Sequence, residues 1–159
     1  MKLSQERYST VAVNEDGETV FVSLRCQLLP FKESGKLPWY IEITYTFPTH
    51  LPQGQDALCI EQVDERLERA QEKDKLAINV ASYLLPGRKV WIYYARNHRV
   101  FFERLNQTLE ELPPLPLSFE IEEDPLWINY TEALQGLGLD PHFCSDETLL
   151  SADDAAQEA

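Results

Sequence analysis

Residues 76–96, LAINVASYLLPGRKVWIYYAR, decide the fold class. Two runs rich in β-branched and aromatic residues flank Leu85-Pro86-Gly87-Arg88. Proline and glycine at the two central positions specify a type II turn, since proline presets the first φ and glycine supplies the positive second one. A two-residue turn joins only antiparallel strands, so the stretch predicts a hairpin. Leu76, Ile78 and Val80 alternate along the first run, and Trp91 and Tyr93 share one face of the second. Upstream, Trp39–Phe47 alternates Trp39, Ile41, Ile43, Tyr45 and Phe47 against Tyr40, Glu42, Thr44 and Thr46, a half-buried strand. Between it and the hairpin, Ile60, Val63, Leu67 and Ala70 recur at helical spacing behind Asp56, which reads as an N-cap. Downstream, Asn97 caps a second helix carrying Phe101, Leu105, Leu109 and Leu112. Pro113-Pro114 stops that helix, and Leu115–Ile121 alternates again as a last strand. The order β-α-β-β-α-β predicts an α+β fold of the ferredoxin-like, split βαβ kind, an antiparallel sheet with two helices on one face.

Further outward, Tyr8–Val13 and Thr19–Leu24 flank Asn14-Glu15-Asp16-Gly17, an amino-terminal β-hairpin that extends the sheet or lies across it. Phe31–Leu37, with Lys32, Gly35 and Lys36, reads as loop. At the other end Asp124-Pro125 reads as N-cap and first helical residue of a short helix. Its stripe of Trp127, Tyr130 and Leu134 closes one end of the body, so Asp124, Pro125, Trp127 and Tyr130 are expected to be structural anchors. Gly136 and Gly138 end that helix. Residues 1–139 are expected to form a single α+β domain, and 140–159, small, polar and acidic, a disordered tail.

Charge is distributed unevenly. The 159 residues carry 14 Lys+Arg against 27 Asp+Glu, a net −13. Residues 1–104 hold all the cations and 14 of the acids, so the entire excess falls on 105–159. Phosphate backbones and anionic membrane surfaces are repelled by such a chain, so neither nucleic acid nor membrane is an expected partner. The start, Met1–Arg7, turns polar at once, which predicts no secretory leader. Cys26, Cys59 and Cys144 are odd in number and widely spaced, the pattern of reduced thiols in a cytoplasmic protein.

Motifs for chemistry are sparse. His50, His98 and His142 are scattered, and no Cys-x-x-Cys, His-Glu-x-x-His or Gly-x-Ser-x-Gly occurs, so no metal, cofactor or catalytic residue is expected. Cys59 near a helix start and Cys26 at a strand end read as small buried hydrophobes. The aromatics Trp91 and Tyr93 on a central strand, beside Lys89, are candidate binding residues. The phosphate-binding glycine loop and the aromatic Lys/Arg-Gly-Phe signature of an RNA platform are both absent. Glu120, Glu122 and Glu123 are the other candidates, as acids that meet a basic partner.

Three stretches carry a family resemblance: Leu51-Pro52 before Ile60-Glu61-Gln62-Val63-Asp64; the aromatic strand Trp91-Ile92-Tyr93-Tyr94-Ala95; and Glu122-Glu123-Asp124-Pro125-Leu126-Trp127-Ile128-Asn129-Tyr130 with Leu134. From about Tyr8 to Leu134 the chain resembles the bacterial domain-of-unknown-function family 695. That resemblance implies no activity and no catalytic residues. The expectation is therefore a non-enzymatic, protein-binding or regulatory module, compatible with a homodimer, whose acidic carboxy-terminal third meets a basic protein. The alternatives are a hydrolase-type enzyme using the carboxylates of Glu120–Asp124, and a small-molecule sensor on an open sheet face.

Overall fold

The computed structural model describes residues 3–73 and 76–140. Residues 141–159 of the expected tail, with His142 and Cys144, lie outside the described residues. The elements run β1 (Arg7–Val13), β2 (Thr19–Arg25), α1 (Leu29–Ser34), β3 (Trp39–Thr46), α2 (Gly54–Lys73), β4 (Ala77–Leu85), β5 (Arg88–Ala95), α3 (His98–Leu109), β6 (Leu117–Glu123) and α4 (Ile128–Gly136). The fold is mixed α+β, with one six-stranded sheet in the order β1-β2-β4-β5-β3-β6. Every neighbouring pair is antiparallel. The sheet is thus larger than a four-stranded one, because the β1–β2 hairpin extends it beyond β4.

The β4–β5 hairpin forms as its turn residues require, with Leu85 opposite Arg88 and Gly87 at φ 81°. Strict alternation fails in β4. Asn79 faces Tyr93 and Ala81 faces Ile92, leaving Val80 as an extra residue. This bulge lets the Asn79 side-chain amide donate to the carbonyls of Ala81 and Ile92, both at 3.0 Å.

Alternation along β3 and β5 divides the core between the two faces. Ile41, Ile43, Tyr45, Trp91 and Tyr93 pack under α2 and α3 with Ile60, Val63, Leu67, Phe101 and Leu105. On the opposite face Val22, Leu24, Ile78, Ile92 and Tyr94 pack with Phe31 of α1 and with Trp127, Tyr130 and Leu134. Helices therefore sit on both faces. The carboxy-terminal helix does not close an end of the body; it covers the second face, which the expectation of an open sheet left bare.

Three local expectations are corrected. The segment read as loop contains α1, with Pro30 in its first turn and Gly35 in a left-handed cap at φ 67°. Six residues make too short a helix to persist alone; docking of Phe31 into the core stabilises it. Helix α2 begins at Gly54, and Asp56, inside its first turn, accepts a 2.7 Å hydrogen bond from the Tyr45 hydroxyl. Helix α4 begins at Ile128, so Pro125 lies in a turn before it and Trp127, at φ 56°, is its N-cap. Asn97 does cap α3, accepting from the amides of Arg99 and Val100.

Candidate functional site

Strand β6 forms one edge of the sheet, paired only with β3. Its residues from Ser118 to Glu123 are all exposed. Phe119 and Ile121 pair with Ile43 and Ile41 on the α2/α3 face, yet remain 44% and 45% exposed because no element lies beyond them. On the other face Glu120 stands opposite Glu42, and Glu122 opposite Tyr40. Like charges directly opposed are unfavourable. The Tyr40 hydroxyl offsets part of this by donating to Glu42 at 2.8 Å.

Beyond the edge, the chain turns through Asp124 into α4. The Asp124 amide donates to the Pro38 carbonyl at 2.7 Å. Its carboxylate accepts from the Tyr94 hydroxyl (2.6 Å), the amides of Ile128 (2.8 Å) and Asn129 (3.0 Å), and the Asn129 side chain (3.0 Å). Burial alone pushes this carboxyl up, but these hydrogen bonds together outweigh it and hold it below the usual carboxylate range. Tyr94 is driven the other way, first by burial and then by its bond to Asp124. The Tyr94 ring stacks on Trp127 with centroids 4.1 Å apart and planes 10° off parallel. Trp127 is 1% exposed, and its indole N–H donates to the Leu37 carbonyl at 3.0 Å. Asp124, Trp127 and Tyr130 are thus all buried, and Asp124 accepts the first amides of α4 from four residues ahead of the helix. Pro125 is exposed.

The aromatic pair of β5 faces the helices, not an open sheet surface. Trp91 is 2% and Tyr93 4% exposed, both beneath the α2/α3 layer. The Trp91 indole N–H donates to Asp64 of α2. Around Glu120–Asp124, Asp124 accepts from Tyr94 and the start of α4, Glu122 accepts from Asn129 at 3.0 Å, and His98 packs edge-on against Trp39. Among the described residues no group of three or more His, Cys, Asp or Glu side chains could hold a metal. Nor is any helix among them long and apolar enough to cross a membrane.

A polar network escaped sequence reading. Arg25, which alternates along β2 with the buried Val22 and Leu24, is wholly buried. It donates to the carbonyls of Asn79 and Ser4, each at 2.7 Å, and to Glu68 of α2 at 2.9 Å. Arg7, its cross-strand neighbour, shares the same Glu68 oxygen at 2.9 Å. Burial, and then Arg7, lower the Arg25 pKa, while Glu68 raises it. Cys26 and Cys59 are both buried, as small apolar side chains, and Cys59 is a free thiol.

No curated protein and no solved structure matches the chain. A family model does match, over residues 8–135, the stretch from the start of β1 to the last turn of α4 that contains all six strands and the Asp124–Trp127 anchor. The chain belongs to DUF695, a family of unknown function.

Proposed function

We propose that this chain is a non-enzymatic, regulatory protein-binding module of the cytoplasm, and that β6 is the edge on which a basic partner docks. One observation carries the reading: an edge strand exposed along Ser118–Glu123 presents two half-exposed apolar side chains and three glutamates together. An exposed sheet edge offers backbone hydrogen bonds to an added strand, with alternate side chains setting specificity. Glu120, Glu122 and Glu123 give that strand a reason to be basic, and the chain has no Lys or Arg after residue 104 to neutralise them. The order β4-β5-β3-β6, with crossovers through α2 and α3, supports reading residues 39–123 as a ferredoxin-like core to which the β1–β2 hairpin is added.

A fluorescent peptide of alternating lysine and valine tests the reading. It should bind with an affinity that falls as salt rises, and slow amide exchange in residues 117–123. E120Q/E122Q/E123Q, with Asp124 intact, should slow its association more than it changes dissociation. Binding indifferent to that triple substitution, or no protection of β6, would overturn it. Aggregation of the triple variant with no peptide binding by the unaltered chain would instead assign the glutamates to keeping the edge unpaired.

A further inference from the structure

Away from β6, a cleft of about 380 Å³ opens between the carboxy-terminal half of α2 and α3. Its floor is apolar: Leu67 and Ala70 of α2, Ala77 of β4, Tyr93 of β5, and Phe101 and Leu105 of α3. The cleft is open to solvent at its mouth, with Leu67, Tyr93, Phe101 and Leu105 buried at its floor. Two alanines, Ala70 and Ala77, stand where larger residues would fill the space.

The rim reverses the charge of the molecule. Arg66, Arg69, Lys73 and Arg104 line the cleft with Glu111 as the acid among the described lining residues. Four of the chain's 14 cations thus gather at one concavity of a protein whose net charge is −13. Arg66 is held to Glu111 at 3.2 Å at the exposed mouth, and Arg69 pairs with Glu65 one turn back along α2. Exposed pairs of this kind contribute little and exchange readily for a better acceptor. Keeping an acidic chain soluble does not require a cationic hollow. A concave site with an apolar lining and a few convergent polar groups is the usual form of a small-ligand pocket, and about 300 Å³ is enough for one.

We infer that the α2–α3 cleft binds a small amphiphilic carboxylate, its apolar body on the Leu67–Tyr93–Phe101–Leu105 floor and its carboxylate against Arg66 and Arg104. Guanidinium suits this role because its planar donor fork matches a carboxylate. A phosphate without an apolar body would leave the floor uncovered, and a neutral lipid would leave the cations unused. This site is independent of β6, and its test does not depend on that reading.

Decanoate, below its micellar concentration, is the probe, with decanol, acetate and inorganic phosphate as controls, titrated into the full chain by calorimetry and by chemical-shift mapping. Decanoate should bind saturably at one site with shifts confined to α2, α3 and Tyr93, and decanol, acetate and phosphate should bind at least about tenfold more weakly. R66Q/R104Q should weaken decanoate about tenfold or more while leaving decanol unchanged. A70F should abolish binding by filling the floor, and T108W, placed at the mouth, serves if A70F fails to fold. Equal affinity for decanoate and decanol, no saturable binding, or full binding by a folded A70F or T108W variant would overturn the inference.

Discussion

Asp124 connects sheet, aromatic stack and helix through single atoms. Its carboxylate receives the Tyr94 hydroxyl and two amides at the start of α4, while its own amide reaches Pro38. Because these bonds favour the ionised form, the folded carboxyl titrates below its unfolded value of about 3.9. The stability it contributes is present above that unfolded value and is lost as pH falls through the lower, folded one. Asp124→Asn should therefore cost about 1–2 kcal/mol at neutral pH and flatten the acid limb of the stability profile. Denaturant unfolding of both proteins from pH 7 to pH 2 checks this; parallel profiles would show that Asp124 titrates no differently in the two states. Arg25 carries the opposite lesson. Its place in the Thr19–Arg25 alternation correctly puts it on the face opposite Val22 and Leu24, but only α2 arriving with Glu68 buries it.

Turn chemistry governs the elements. The Pro86-Gly87 dipeptide fixes the β4–β5 hairpin, and Gly87 also receives the Phe47 amide on its carbonyl at 2.9 Å and donates its own amide to His50 at 3.3 Å. The turn thus ties the hairpin to the loop after β3. Gly87→Ala has space, the nearest atom to the added Cβ being the Phe47 carbonyl oxygen at 3.5 Å, but not the conformation, since φ is 81°. The expected cost is about 1–2 kcal/mol, seen as a lower denaturation midpoint with an unchanged slope. A midpoint equal to that of the unaltered chain would mean the turn relaxes without strain. Where no such local signal exists, elements are harder to read. Helix α1 has Pro30 and Gly35 at its two ends, the usual punctuation of a helix, but only Phe31 is buried along it, too little to register as periodicity.

Across the whole molecule, 13 excess negative charges repel one another, and Glu42 and Glu120 face each other within the sheet. The Arg7–Glu68, Arg66–Glu111 and Arg69–Glu65 pairs lie at or near the surface, and only the Arg25 guanidinium is buried among these pairs. Screening should then relieve more repulsion than it removes attraction. Raising sodium chloride from about 0.02 M to about 0.3 M should lift the melting temperature by about 2–4 °C, equivalent to about 1 kcal/mol. A melting temperature that falls with salt would mean that the Arg7–Arg25–Glu68 network outweighs the net charge.

Local chemistry by itself determined the alternation of β3 and β5, the Pro86-Gly87 turn, the Asn97 cap and the apolar stripes of α2 and α3, because each depends on residues within a few positions of one another. It also located the acidic β6 and the burial of Trp127. Tertiary structure alone decided which alternate face each partner covers. The period of a strand says that Trp91 and Tyr93 share a side, but not that α2 and α3 lie over it or that α1 and α4 lie over the other. The same holds for the α2–α3 cleft: Arg66 and Ala70 of α2, Ala77 of β4 and Arg104 of α3 are ordinary residues until packing gathers these three elements around one hollow. Burial and encounter are properties of surfaces meeting, and those surfaces are assembled from segments far apart in the chain.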